Sequence, residues 1–175
     1  MLKFASILEE ITDSKIFGPV LAFVWRVEWQ ARGLPHIHML LILAERLLSA
    51  ASIDKIVSAE FPDPVARPHL HESVTKFMVH GPCDVRPNLI CRKNNDGTIR
   101  QCSRQYPKEF IGATRVLSDG YPQYRRRGRY QGCDGDRMIT DEWVVPHNPY
   151  LLERYRCHIN VEVAGHIRCC KYVYK

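Results

Sequence analysis

Nowhere in the 175 residues does an uninterrupted apolar run reach the length of a membrane span, which excludes a single-pass helical anchor. A secretion signal is also missing: the opening MLKFASILEEITDSKIFG carries acidic side chains where a signal peptide has none. No G-x-x-x-x-G-K-[ST] loop is present, so nothing here would cradle a nucleotide triphosphate, and ATP hydrolysis is not expected. Linkers, internal repeats and low-complexity tracts are absent too. These gaps predict a soluble protein with no membrane partner and no nucleotide cofactor, folded as one domain over 1–175, a length that buries one good core.

What is present points elsewhere. A formal net charge of +6 and a pI near 9.0 suit a nucleic-acid partner, although many basic proteins bind none. Seven cysteines is an odd and fairly high number. Without a secretion signal, disulfides explain them poorly and metal binding explains them better.

The densest chemical signal lies between Val24 and Leu43. Val24 to Gln30 and His36 to Leu43 are apolar, β-branched and aromatic runs flanking a connector, Ala31 to Pro35, that holds a Gly and a Pro, so they predict a β-hairpin. His36 and His38 are two apart and share a face. Closure symmetric about Gly33 would set Gln30 opposite His36 and Glu28 opposite His38. Two imidazoles, a carboxylate and an amide on one patch make a candidate divalent-metal site with a position open for substrate. The third ligand is Glu28 or Gln30, and carboxylate chemistry favours Glu28 for Mg²⁺ or Mn²⁺. The plainer alternative is a pair of hydrogen-bonded strand histidines. Against it, an unpaired His-His-Glu set in otherwise apolar strands would be costly to bury.

Elsewhere the pattern predicts an α+β fold. Helical spacing runs from Phe4 to Ile16, from Ser52 as a cap through Val57, and from His69 to Val79, with strands at Phe17 to Trp29, Trp143 to Val145 and Cys157 to Val163, and a closing helix at His166 to Lys175. The expected architecture is a central antiparallel sheet carrying the His-x-His on a central strand, flanking helices, and an inserted Cys/His-rich loop region. That region, about 80–105, sits in a stretch poor in periodic segments, and His80, Cys83, Cys91 and Cys102 are candidate Zn²⁺ ligands that would pin it. Free thiols are the alternative. Tyr124, Arg125, Arg126, Arg127 and Arg129 form the most basic run, the mixture of cations and ring faces that single-strand binding uses; the alternative is a solvated hairpin edge.

Seven blocks in order, VEWQARGLPHIHMLLIL, FPDPVARPHLHESVTKFMVHGPC, CSRQYPKEF, DGYPQYRRR, WVVPHNPYLL, HINVEV and KYVYK, resemble the Helitron helicase-like N-terminal domain. This is the rolling-circle replication-initiator part of Helitron transposases, a nuclease family named for its His-hydrophobe-His motif, which falls on His36-Ile37-His38. The resemblance implies metal-dependent nicking and strand transfer on single-stranded DNA through a 5′-phosphotyrosyl intermediate, with Tyr172 as nucleophile, and it favours a DNA contact for the basic run. Lys171 and Lys175 would then stand beside the scissile phosphate. The family's second tyrosine would fall one position past Lys175. Tyr174 is no substitute, because two helical residues turn roughly 200°. A downstream helicase domain, a nuclear location and single-stranded DNA as partner are implied as well. The competing expectation is a catalytically degenerate, zinc-stabilised DNA-binding module.

Overall fold

Alternating β-branched and aromatic residues, Val20 to Trp29, form strand β1 (Val20–Trp29), which pairs antiparallel with β2 (Pro35–Leu43) in the computed structural model of the chain. The structure describes residues 2–29, 35–47, 49–81, 83, 91, 98, 101–118 and 120–164. By its contacts the chain divides into two compact units, one comprising Met1–Ile53 with Val116–Gln123 and the chain from Val163 onward, the other Asp54–Arg115 with Tyr124–Glu162.

In the first unit, α1 (Leu2–Thr12) carries Phe4, Ile7, Leu8 and Ile11 at helical spacing. Ile11 is buried, and the Phe4 ring lies 5.0 Å from that of Trp25 on β1. Helix α2 (Ala50–Ile56) starts earlier than the sequence predicts. Its opening turn is closed by Ser49 and Ser52 together: each backbone N–H bonds the other's hydroxyl, at 3.2 and 3.1 Å, so the cap sits three residues before the expected one.

The second unit holds the larger core, Phe61, Leu70, Val74, Met78, Ile139, Trp143, Val144 and Leu152, with Cys83 and Cys102 among them. Helix α3 (Pro68–Phe77) begins on a proline, whose missing N–H costs nothing there, and turns Leu70 and Val74 inward. Helix α4 (Pro149–Tyr155) likewise begins on a proline, and the Asn148 side chain accepts from Leu151 N–H at 2.9 Å. Strands β5 (Gly132–Asp134) and β6 (Arg137–Ile139) make a tight antiparallel pair. Gly132 has no substitute there, because a Cβ would stand 2.5 Å from the Phe61 ring.

The α+β class holds, with helices beside small antiparallel sheets. Among the described residues, however, strands occur as separate two-stranded pairs, including the short β3 (Arg115–Val116) and β4 (Pro122–Gln123). Two expected strands are reduced to isolated bridges. Around Trp143 to Val145 the chain leaves a 3₁₀ turn (Asp141–Trp143), and only Val144 bridges, antiparallel to Val79, while its carbonyl goes to the Arg126 guanidinium. From Cys157 to Val163 only Asn160 bridges, to His147. The helix expected over His166 to Lys175 lies outside the described residues. Among those described, no helix is long and apolar enough to cross a membrane.

Candidate metal centres

The hairpin closes one residue earlier than symmetry about Gly33 requires. Trp29 pairs with Pro35, Glu28 with His36 and Arg26 with His38, so Glu28 faces His36 directly and His38 on the diagonal. Pro35, which lacks an N–H and is tolerated as the first residue of a strand, joins β2 instead of the connector. Every partner moves by an even step, so Glu28, His36 and His38 still share one face.

On that face the His38 Nε2 lies 2.8 Å from the Glu28 Oε2, and the two imidazole centroids are 4.5 Å apart. One ligand atom from each of Glu28, His36 and His38 falls within 4.8 Å of the others. Cis ligands of an octahedral Mg²⁺ or Mn²⁺ at about 2.1 Å stand about 3 Å apart, close to the Glu28–His38 distance. Glu28 is exposed and the histidines half-buried, leaving an approach for a large substrate. The hydrogen bond from His38 holds the Glu28 carboxyl below the usual range, with the charges of His38, His36 and Arg26 adding to it. Gln30, the other candidate ligand, lies outside the described residues, as do Tyr172, Lys171 and Lys175.

In the second unit, His80, Cys83, Cys91 and Cys102 also bring their ligand atoms within 4.8 Å of one another. The Cys102 Sγ is 3.4 Å from the His80 Nε2. A tetrahedral zinc with Zn–S near 2.3 Å and Zn–N near 2.05 Å requires edges of roughly 3.5 to 3.8 Å, so closing the set needs shifts of about 1 Å at most. Three thiols and one imidazole are the donor set of a structural zinc site. Burial and the adjoining thiols push Cys83 up to about 12, while Cys102 is lowered: backbone N–H groups and neighbouring thiols outweigh its burial. Burial also lowers His80, with Arg104 and Lys108 adding to the effect, which keeps a ring nitrogen free of its proton and able to ligate.

The basic run behaves differently from its reading as a DNA surface. Arg126 is 4 % exposed and its Nη1 donates to the carbonyls of Ala59 (3.2 Å), Asp141 and Val144 (2.7 Å). Arg127 grips Glu60 with two 2.7 Å bonds, and Arg125 reaches both Glu60 and Asp54 at 3.1 Å. Burial works to raise Glu60, but these two arginines outweigh it and its carboxyl ends below the usual range. Tyr124 is buried. Thus Arg126 and Tyr124 are interior groups, corrected from the sequence reading because buried carbonyls and the core claim them, and Arg125 and Arg127 serve ion pairs first. Arg129 alone of the five stays exposed without a described ion pair.

Sequence reasoning missed Asp141, which is buried and accepts from the Phe61 and Gly128 N–H groups at 2.8 and 2.7 Å. It also missed Tyr106, whose ring stacks on His80 at 4.3 Å and 16°. No local spacing relates Tyr106 to His80; only its place in the block after Cys102 hinted at a role.

Comparison with curated proteins finds no match. Residues 1–41, which hold α1, β1 and most of β2 together with Glu28, His36 and His38, match the family model described as the Helitron helicase-like domain at N-terminus.

Proposed function

We propose that this chain is a metal-dependent nicking and strand-transfer domain of a Helitron-type rolling-circle transposase, acting on single-stranded DNA. The observation that carries the reading is the convergence of Glu28, His36 and His38 on one accessible hairpin face, within the segment that matches the family. Glu28, His36 and His38 would hold Mg²⁺ or Mn²⁺, which supplies positive charge that polarises the scissile phosphate. Tyr172 is the nucleophile: its oxygen bonds the phosphorus as the bond to the 3′ oxygen breaks, and its proton ends on that oxygen. The products are a 5′-phosphotyrosyl link and a free 3′-hydroxyl, and the link's retained energy allows rejoining to a second strand. Arg129 contributes a phosphate contact. His80, Cys83, Cys91 and Cys102 take Zn²⁺ as a structural ion. A helicase domain in the same polypeptide and a nuclear site of action complete the reading.

The test is incubation with end-labelled single-stranded DNA and Mn²⁺, resolved on a denaturing gel. A protein-linked product that disappears in Tyr172→Phe and in His36→Ala is expected. A link that survives Tyr172→Phe overturns the reading, and DNA retention without cleavage under every metal replaces it with a zinc-stabilised binding module.

A further inference from the structure

The four sulfur and nitrogen ligands of the second unit are not a peripheral finger. Cys83 and Cys102 belong to the main hydrophobic core, and Cys91 packs against it. A metal centre set in a core is oriented by the side chains packed on its ligands, and such partners fix ring orientation and ligand basicity as surely as the ligands do.

One residue outside the four packs its ring on a ligand. The Tyr106 ring lies 4.3 Å from the His80 ring at 16°, so the imidazole is held flat against it. Tyr106 is itself clamped. Trp143 lies nearly parallel to it at 6.3 Å and 13°, and Lys108 Nζ stands 5.2 Å from its centroid. The stacked imidazole in turn meets a second ligand, its Nε2 lying 3.4 Å from the Cys102 Sγ.

We propose that Tyr106 is the positioning residue of a structural zinc centre at His80, Cys83, Cys91 and Cys102, setting the His80 ring by stacking. This rests on the zinc reading of the four ligands. Removing the ring frees His80 to rotate without touching any ligand atom.

The experiment compares the full chain with Tyr106→Phe and Tyr106→Met. Zinc stoichiometry is measured first, then affinity by competition with a chromophoric chelator, then the visible spectrum of the Co²⁺-loaded protein. Wild type should bind one zinc and give the intense bands of tetrahedral Co²⁺ with three sulfur ligands. Tyr106→Phe keeps the ring and should match wild type. Tyr106→Met should lose roughly 10- to 100-fold in zinc affinity and show weakened, shifted Co²⁺ bands. A wild type that binds no zinc sinks the zinc reading itself. A wild type that binds zinc with Tyr106→Met unchanged in affinity and spectrum overturns the role of Tyr106 alone. Should Tyr106→Met fail to fold in excess zinc, proton NMR of the Co²⁺-loaded wild type decides. Tyr106 ring protons must then carry the largest paramagnetic shifts outside the four ligands, and ordinary shifts there overturn the proposal.

Discussion

His38 and Glu28 sit diagonally across the hairpin, with Nε2 and Oε2 2.8 Å apart, while the residue directly opposite Glu28 is His36. One carboxylate therefore bonds one imidazole and faces the other, with a ligand atom of each of the three within 4.8 Å of the others. A cation entering the face replaces the hydrogen bond with coordination and keeps the same three side chains in place.

Mn²⁺ affinity should accordingly fall in Glu28→Gln, His36→Ala and His38→Ala alike. Partners that merely orient a ligand cost roughly 10-fold or more when removed, so loss of a ligand should cost at least that. Titration of Mn²⁺ followed by electron paramagnetic resonance reads this directly; three variants that bind as wild type does would remove the hairpin from metal chemistry.

Arg126→Met should destabilise the second unit by about 2 to 6 kcal/mol, since the Ala59 and Val144 carbonyls lose their donor while that of Asp141 keeps the Val144 N–H, and each unsatisfied group costs about 1 to 3 kcal/mol. Arg129→Ala, at an exposed position, should change stability by no more than about 0.5 kcal/mol. Urea denaturation monitored by tryptophan fluorescence separates the two; equal effects would contradict the interior placement of Arg126.

His147 gives the fold an acid limit. It is 1 % exposed, its Nδ1 pairs with the Val145 carbonyl at 3.0 Å, and burial lowers it from 6.5 to about 4, with the charge of Arg126 adding to the effect. Between those values the unfolded chain binds the proton and the folded chain does not, so stability falls as pH drops from about 6.5 towards about 4. The full loss is on the order of 3 kcal/mol. His147→Gln should flatten this part of the pH profile in urea melts at pH 7 and pH 4.5; a variant with the wild-type slope would assign the loss to other groups.

Local chemistry made much of this legible. Apolar spacing found α1 and α3, alternation found the hairpin, and residue type at a shared face found Glu28 with His36 and His38. The Cys/His set was legible too, because four good ligands in a stretch poor in periodicity have few other uses. What escaped depended on distant partners. Trp143 to Val145 has strand composition, yet its pairing stops at one bridge to Val79, and Arg126 takes the Val144 carbonyl. Hairpin symmetry placed Glu28 opposite His38, whereas the pairing sets it opposite His36, two residues along β2. Ser49 shares the cap of α2 with Ser52 although no periodic residue marks it.

The Arg125-Arg126-Arg127 segment shows how lettering and electrostatic field part company. Its three guanidinium groups are answered by Asp54, Glu60 and a cage of backbone oxygens, so an approaching polyanion meets little of their charge. These three arginines act as internal mortar, which leaves Arg129 as the member of the basic run that meets solvent without a described ion pair.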